Sequence, residues 1–375
     1  MIRLKYLATA FLLCCATIAA QAQGERNNWY FGKSAGITFN GDSAVAVTNG
    51  RLITEEGSAT ISDKNGNLLF YTNGITVWNR NHKVMPNGNG LLGGNSSTQS
   101  ALIVPKPGSE TIYYIFTTDI QAQSDGLRYS IVDMSKDGGN GDLVFKNTFM
   151  IAPTTEKLTA VRHSNGKDWW VVAHRWNSNA YLSYLVSENG VETMPVMSNV
   201  GTVHGGSNRK AIGYLKPSPD GTRLAAALWN DNSNFELLRF DRSTGKVSDP
   251  ILFKGFSEAY GIAFSPDGSK LYGTTNNKGT GKGQIVQFDL RAGGPEEIIK
   301  SATIVATSGS PTIGALQLGP DGRIYAARKD NIHLGVIFNP NAKGKAVQYK
   351  DNGFKLAGRK SDLGLPNFVQ DVKRL

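Results

Sequence analysis

Glu56, Glu156 and Glu258 are the residues through which this chain could do chemistry. Carboxylates brought together can exchange protons as general acid and general base. Gln99, His174, Arg175, Arg209 and Tyr260 could join them, and Trp176 and Trp229 could stack on a sugar. The other catalytic patterns fail on inspection. His82, His163, His174, His204 and His333 form neither H-x-H nor H-E-x-x-H, so no metal site is expected. Gly32-Lys33-Ser34-Ala35-Gly36 matches a hydrolase elbow, yet β-type Ile37-Thr38-Phe39 follows where the elbow needs a helix. Gly279-Thr280-Gly281-Lys282-Gly283 lacks the Ser or Thr that a phosphate loop carries after its lysine. No catalytic residue and no cofactor are therefore assigned.

The elements that must position these residues are legible from a repeated phrase. Ser218-Pro219-Asp220-Gly221, Ser265-Pro266-Asp267-Gly268 and Gly319-Pro320-Asp321-Gly322 each precede a β-rich run. Weaker copies end at Gly66, Gly108 and Gly166. In such a turn Pro presets φ, Asp bonds nearby backbone and Gly accepts positive φ. Six copies spaced by roughly 42 to 58 residues predict blades of a β-propeller. Runs such as Ile285-Val286-Gln287-Phe288-Asp289-Leu290 alternate with a period near two, and no convincing amphipathic helix is visible.

Six whole blades begin near Ala59, Ser100, Leu158, Ile212, Tyr260 and Ile313. The two ends of the chain supply a seventh. Residues 29–32, 36–39 and 44–47 would be its second to fourth strands, and 365–370 its missing innermost strand. The expected fold class is all-β, a seven-bladed β-propeller closed by pairing of the N- and C-terminal strands. A six-bladed ring with a loose N-terminus is the alternative. In either ring the loops into each first strand share one face with the loops between second and third strands. That face gathers Glu56, Gln99, Glu156, His174, Arg175, Trp176, Arg209, Trp229, Glu258 and Tyr260, and it is the expected binding surface.

Residues 1–22 read as a signal peptide: basic Arg3 and Lys5, an apolar run, then Ala20-Gln21-Ala22 as a small-x-small cleavage site. Cys14 and Cys15 leave a lipoprotein signal open. Residues 23–375 would then be a single domain with no cysteine, hence no disulfide and no thiol nucleophile. A periplasmic or secreted protein is expected, without an integral membrane segment. The chain carries a formal charge of +10, but its basic residues are scattered, which argues against nucleic acid as a partner. A monomer is expected.

Several longer motifs carry a family resemblance. They are Asn28-Trp29-Tyr30-Phe31-Gly32, Glu56-Gly57-Ser58-Ala59-Thr60-Ile61-Ser62-Asp63, Trp78-Asn79-Arg80-Asn81-His82, Ser96-Ser97-Thr98-Gln99-Ser100 and Gly364-Leu365-Pro366-Asn367-Phe368. Together they resemble the N-terminal propeller of large exported Bacteroidota proteins associated with gliding motility or type IX secretion, within the lactonase- or WD40-like superfamily. The PKD-like repeats and sorting domain of those proteins have no counterpart after Leu375 in this sequence. The resemblance implies a non-catalytic binding or scaffolding module whose partner is an envelope protein or glycan. The alternative is a lactonase-, lyase- or glycan-hydrolase-like enzyme with its site at the channel mouth.

Overall fold

The computed structural model describes residues 24–229, 234–277, 281–310 and 312–371. Residues 1–22, expected to be a signal peptide, and the end of the tail beyond residue 371 lie outside the described residues.

Seven antiparallel sheets follow one another along the chain. The first holds Asn28–Phe31, Ala35–Asn40 and Ser43–Val47. The second begins with Ser58–Ser62, the third with Ala101–Pro105 and the fourth with Thr154–Arg162. The fifth to seventh begin with Leu215–Pro217, Ile262–Phe264 and Ile313–Leu318. Each later sheet meanders outward through at least three further strands, and the whole is a seven-bladed β-propeller. One α-helix, Pro295–Lys300, interrupts the last hairpin of the sixth blade, where Pro at its start and two glutamates in its first turn favour a helix.

The repeated turns form as their chemistry requires. Asp220, Asp267 and Asp321 each accept a bond from the backbone amide two residues on, at 3.1, 3.0 and 3.2 Å. Gly221, Gly268 and Gly322 take φ of 69°, 66° and 76°. In the weaker copies Asp63, Ser109 and Asn165 supply the accepting oxygen instead.

Alternation along each strand sends side chains to opposite faces, so every blade packs against both neighbours. Trp169 and Trp170 illustrate it. Trp169 packs with Leu102, Tyr114 and Phe116 of the third blade, and Trp170 with Leu224, Leu238 and Phe240 of the fifth. The junction of the first two blades is thinner, built from Tyr30, Leu52 and Tyr71 with Trp78 against them.

The expected inner strand of the first blade does not form: that sheet keeps three strands, and the tail pairs with the second blade instead. The Lys33 amide donates to the Lys360 carbonyl at 2.9 Å. Residues 363–371 then run down the central channel. Leu363 bonds the backbones of Glu55 and Ala315, both at 2.8 Å. Pro366–Asn367 pairs in parallel with Ser58 and Ala59 of the second blade. Gln370 exchanges bonds with Ala160 and Arg162 of the fourth, and Asp371 pairs with the Arg162 guanidinium at 3.0 Å. The first blade touches this tail through side chains, Trp29 meeting Phe368 at 6.0 Å. Its backbone bonds go elsewhere because the tail crosses the channel obliquely and reaches donors and acceptors on several first strands.

Candidate functional site

The first strands converge at the upper mouth of the channel, where the loops entering them meet. Glu56 ends the loop into the second blade, Thr98 and Gln99 lie just ahead of the third, and Glu156 opens the first strand of the fourth. Tyr260 precedes that of the sixth.

Glu156 is fully buried, and its carboxylate accepts three bonds. They come from the Thr98 amide at 2.9 Å, the Thr98 hydroxyl at 2.5 Å and the Gln121 amide at 2.8 Å. Thr98 Oγ1 in turn accepts from the Gly213 amide at 3.0 Å, which leaves its proton for Glu156. Glu56 is 6% exposed and has far less support: Oε1 meets Ser96 Oγ at 3.4 Å, and Oε2 has no hydrogen-bond partner. The buried Tyr260 hydroxyl interacts with Glu56 without closing a hydrogen bond of ordinary length.

Burial raises the pKa of both carboxyl groups, and the charge of Glu156 drives Glu56 well above its usual value. Two adjacent carboxylates cannot both ionise cheaply out of water. The triply bonded Glu156 is the better anion, which makes Glu56 the protonated partner. Burial, then Glu56, also holds the Tyr260 phenol well above its ordinary range.

A second buried group adjoins the first. Lys157 Nζ donates to the carbonyls of Ala211 and Ile212 at 3.2 and 3.1 Å. Burial lowers its pKa to about 7, against the pull of Glu156 and Glu236. His174 and His204 stack with ring centroids 3.7 Å apart, both kept neutral by burial. Tyr181 meets the edge of His174 and donates to Glu236 at 2.9 Å. Three ring nitrogens of the histidine pair lack a partner. Among the described residues no group of three or more His, Cys, Asp or Glu is placed to hold a metal ion.

The residues singled out in the sequence therefore divide. Glu56, Glu156 and Tyr260 meet, and His174 belongs to the adjoining cluster. All ten candidates were expected on a contact surface, but Gln99, Glu156, His174 and Tyr260 are fully buried and Glu56 nearly so. Gln99 clamps the ring from inside: Oε1 accepts from Leu158 and Leu215, while Nε2 donates to the Leu215 carbonyl and to Asn367 Oδ1 of the tail. Tyr260 packs edge-on against Tyr214 and Trp229. Trp176 and Glu258 are buried, Trp229 is half-buried, and Arg175 and Arg209 are exposed. His204, Glu236 and Tyr181 were not singled out, although the same topological rule places all three near the upper loops.

The suspect motifs resolve plainly. Ser34, at φ 56°, occupies a tight turn between two strands with no helix after it. Lys282 and Gly283 lie in the strand Lys282–Asp289, while residues 278–280 lie outside the described residues.

No protein-family model and no curated protein sequence matches the chain. Solved structures do. One is described as "a putative 6-phosphogluconolactonase" from Bacteroides uniformis, at 14% identity over 89% of this chain and 98% of that one, with a TM-score of 0.52. Another, of the same description, comes from Bacteroides fragilis, at 15% identity over 83% and 97% of the chains, with a TM-score of 0.41. A functionally unknown protein from Desulfotomaculum acetoxidans is similar at 12% identity over 90% and 98%, with a TM-score of 0.45. At these identities the likeness to the first structure is one of fold, and the chain is a seven-bladed β-propeller similar in architecture to that protein.

Proposed function

We propose that this chain is an exported propeller of the bacterial envelope that binds a protein or glycan through its upper rim. The observation that carries this reading is the split between buried and exposed groups. The acids suited to proton transfer are withdrawn beneath the face, and Glu156 is spent on bonds between blades. The exposed rim instead presents Arg175 and Arg209 beside half-buried Trp229, and arginine and aromatic anchors are the usual energetic centres of recognition. The likeness of residues 28–100 to propellers of gliding and type IX secretion proteins supports the envelope setting.

A lactonase-like enzyme is the second reading. The Glu56–Glu156 pair beside Tyr260 favours it, as does the description given to the Bacteroides uniformis protein of similar fold. One experiment separates the two. Immobilised protein is probed with an envelope extract and a glycan array, and its hydrolysis of 6-phosphogluconolactone is followed in parallel. The rim reading expects capture that falls at least about tenfold, roughly the loss of one anchor, in R175A/R209A with an unchanged melting temperature. Capture indifferent to both arginines rejects it. Lactone hydrolysis lost in E56Q and E156Q establishes the second reading.

A further inference from the structure

The thin junction of the first two blades opens into a cleft of about 410 Å³. Arg51 reaches it from the loop between the blades, Lys83 from a hairpin of the second blade, and Arg359 from the segment after the seventh. Asn49, Asn81 and His82 line it too, and no carboxylate and no apolar side chain takes part. Arg51, Lys83 and Arg359 are exposed, and none has an ion-pair partner among the described residues. Three cations gathered without an acid repel one another, an arrangement that an anion relieves.

Residues behind the lining hold it in place. Tyr30 stacks on Tyr71 at 4.5 Å, and Tyr71 stacks on Trp78 at 5.5 Å. The Tyr71 hydroxyl accepts the Arg51 amide at 3.1 Å and lies in hydrogen-bond contact with His82 Nδ1 at 3.2 Å. That contact fixes the ring of His82, which lines the cleft. Arg359 is steadied by the Thr48 carbonyl at 3.1 Å, and the Tyr30 hydroxyl donates to Asn49 at 3.2 Å.

We propose that this cleft binds a phosphorylated sugar, with Arg51, Lys83 and Arg359 gathered on the phosphate and Asn49 and Asn81 on hydroxyls. Two guanidiniums match the paired oxygens of a phosphate, and a dianion answers several cations better than a monoanion does. The volume exceeds what a bare inorganic ion fills, and the polar side chains gathered there suit a polyol rather than an acyl chain. The proposal stands apart from the upper-rim reading, because it uses none of Arg175, Arg209 and Trp229.

Isothermal titration with glucose 6-phosphate, glucose and inorganic phosphate tests it, alongside sedimentation with vesicles carrying lipid A or phosphatidylcholine alone. Glucose 6-phosphate should bind, with glucose at least about tenfold weaker, the equivalent of roughly 1.4 kcal/mol. R51A/R359A should lose that binding at an unchanged melting temperature, while R239A, which removes an exposed cation on the fifth blade, should keep it. Binding to lipid A vesicles alone, lost in the same double variant, would assign the phosphosugar to a membrane-borne source. No phosphate-dependent binding in either arm overturns the proposal. So does an equal loss in R239A, which would reduce the effect to overall basic charge.

Discussion

At the scale of single residues, the channel mouth holds two glutamates in unlike surroundings. Glu156 is an anion held by three donors, and Glu56 is left with one long contact and an unpaired oxygen. Folding therefore raises the proton affinity of Glu56, first by burial and then through Glu156. A carboxyl with a raised folded pKa contributes stability that is fully present below its unfolded value, near 4.5, and is lost as pH rises through the folded value. Gln cannot ionise, so E56Q should melt close to the wild type at pH 4 and above it at pH 8. Melting curves across that range check the sign, and a gap that narrows as pH rises contradicts the assignment. The sequence identified Glu56, Glu156 and Tyr260 because topology sends those loops to one mouth. It placed these three, with Gln99 and His174, on a contact surface because loop position says nothing of depth, which is set by how far the tail and neighbouring loops fold over them.

At the scale of elements, the turns were the most legible feature, since their chemistry is local. Even the weaker copies keep the role through a different residue: Asp63, Ser109 or Asn165 takes the place of the Pro-Asp-Gly aspartate. The helix Pro295–Lys300 was missed because six residues are too few to display a helical period. The aspartates should differ in importance. Asp220 is exposed and bonds the amide and hydroxyl of Thr222. The side chain of Asp321 is almost wholly buried and also accepts the Tyr325 hydroxyl at 2.7 Å. Its loss strands a buried donor. D220A should therefore cost about 1 kcal/mol and D321A about 2–3 kcal/mol. Denaturant unfolding measures both, and equal costs would mean that the Tyr325 bond contributes nothing.

At the scale of the whole molecule, the ring is closed from inside. The missing strand of the first blade and the β-type run at residues 365–370 made a seventh blade legible, but the run pairs with the second blade and not the first. The path of that run was not readable, because it depends on bonds to several blades at once. Gly364 lies so close to the second blade that a Cβ would fall 1.7 Å from the Glu56 carbonyl oxygen, which leaves room only for glycine. Asn367 ties the tail to Ala101, Leu158 and Gln99, and Leu365 and Phe368 bury their side chains within the ring. With the tail in the channel, the proposed recognition is left to the rim and to the cleft. Hydrogen–deuterium exchange on the intact protein tests this arrangement most directly. The amides of Leu363 and Gln370 bond Glu55 and Ala160, so they should exchange as slowly as those of the first strands beside them. Exchange of both within seconds, while the blades stay protected, would mean that the tail does not occupy the channel.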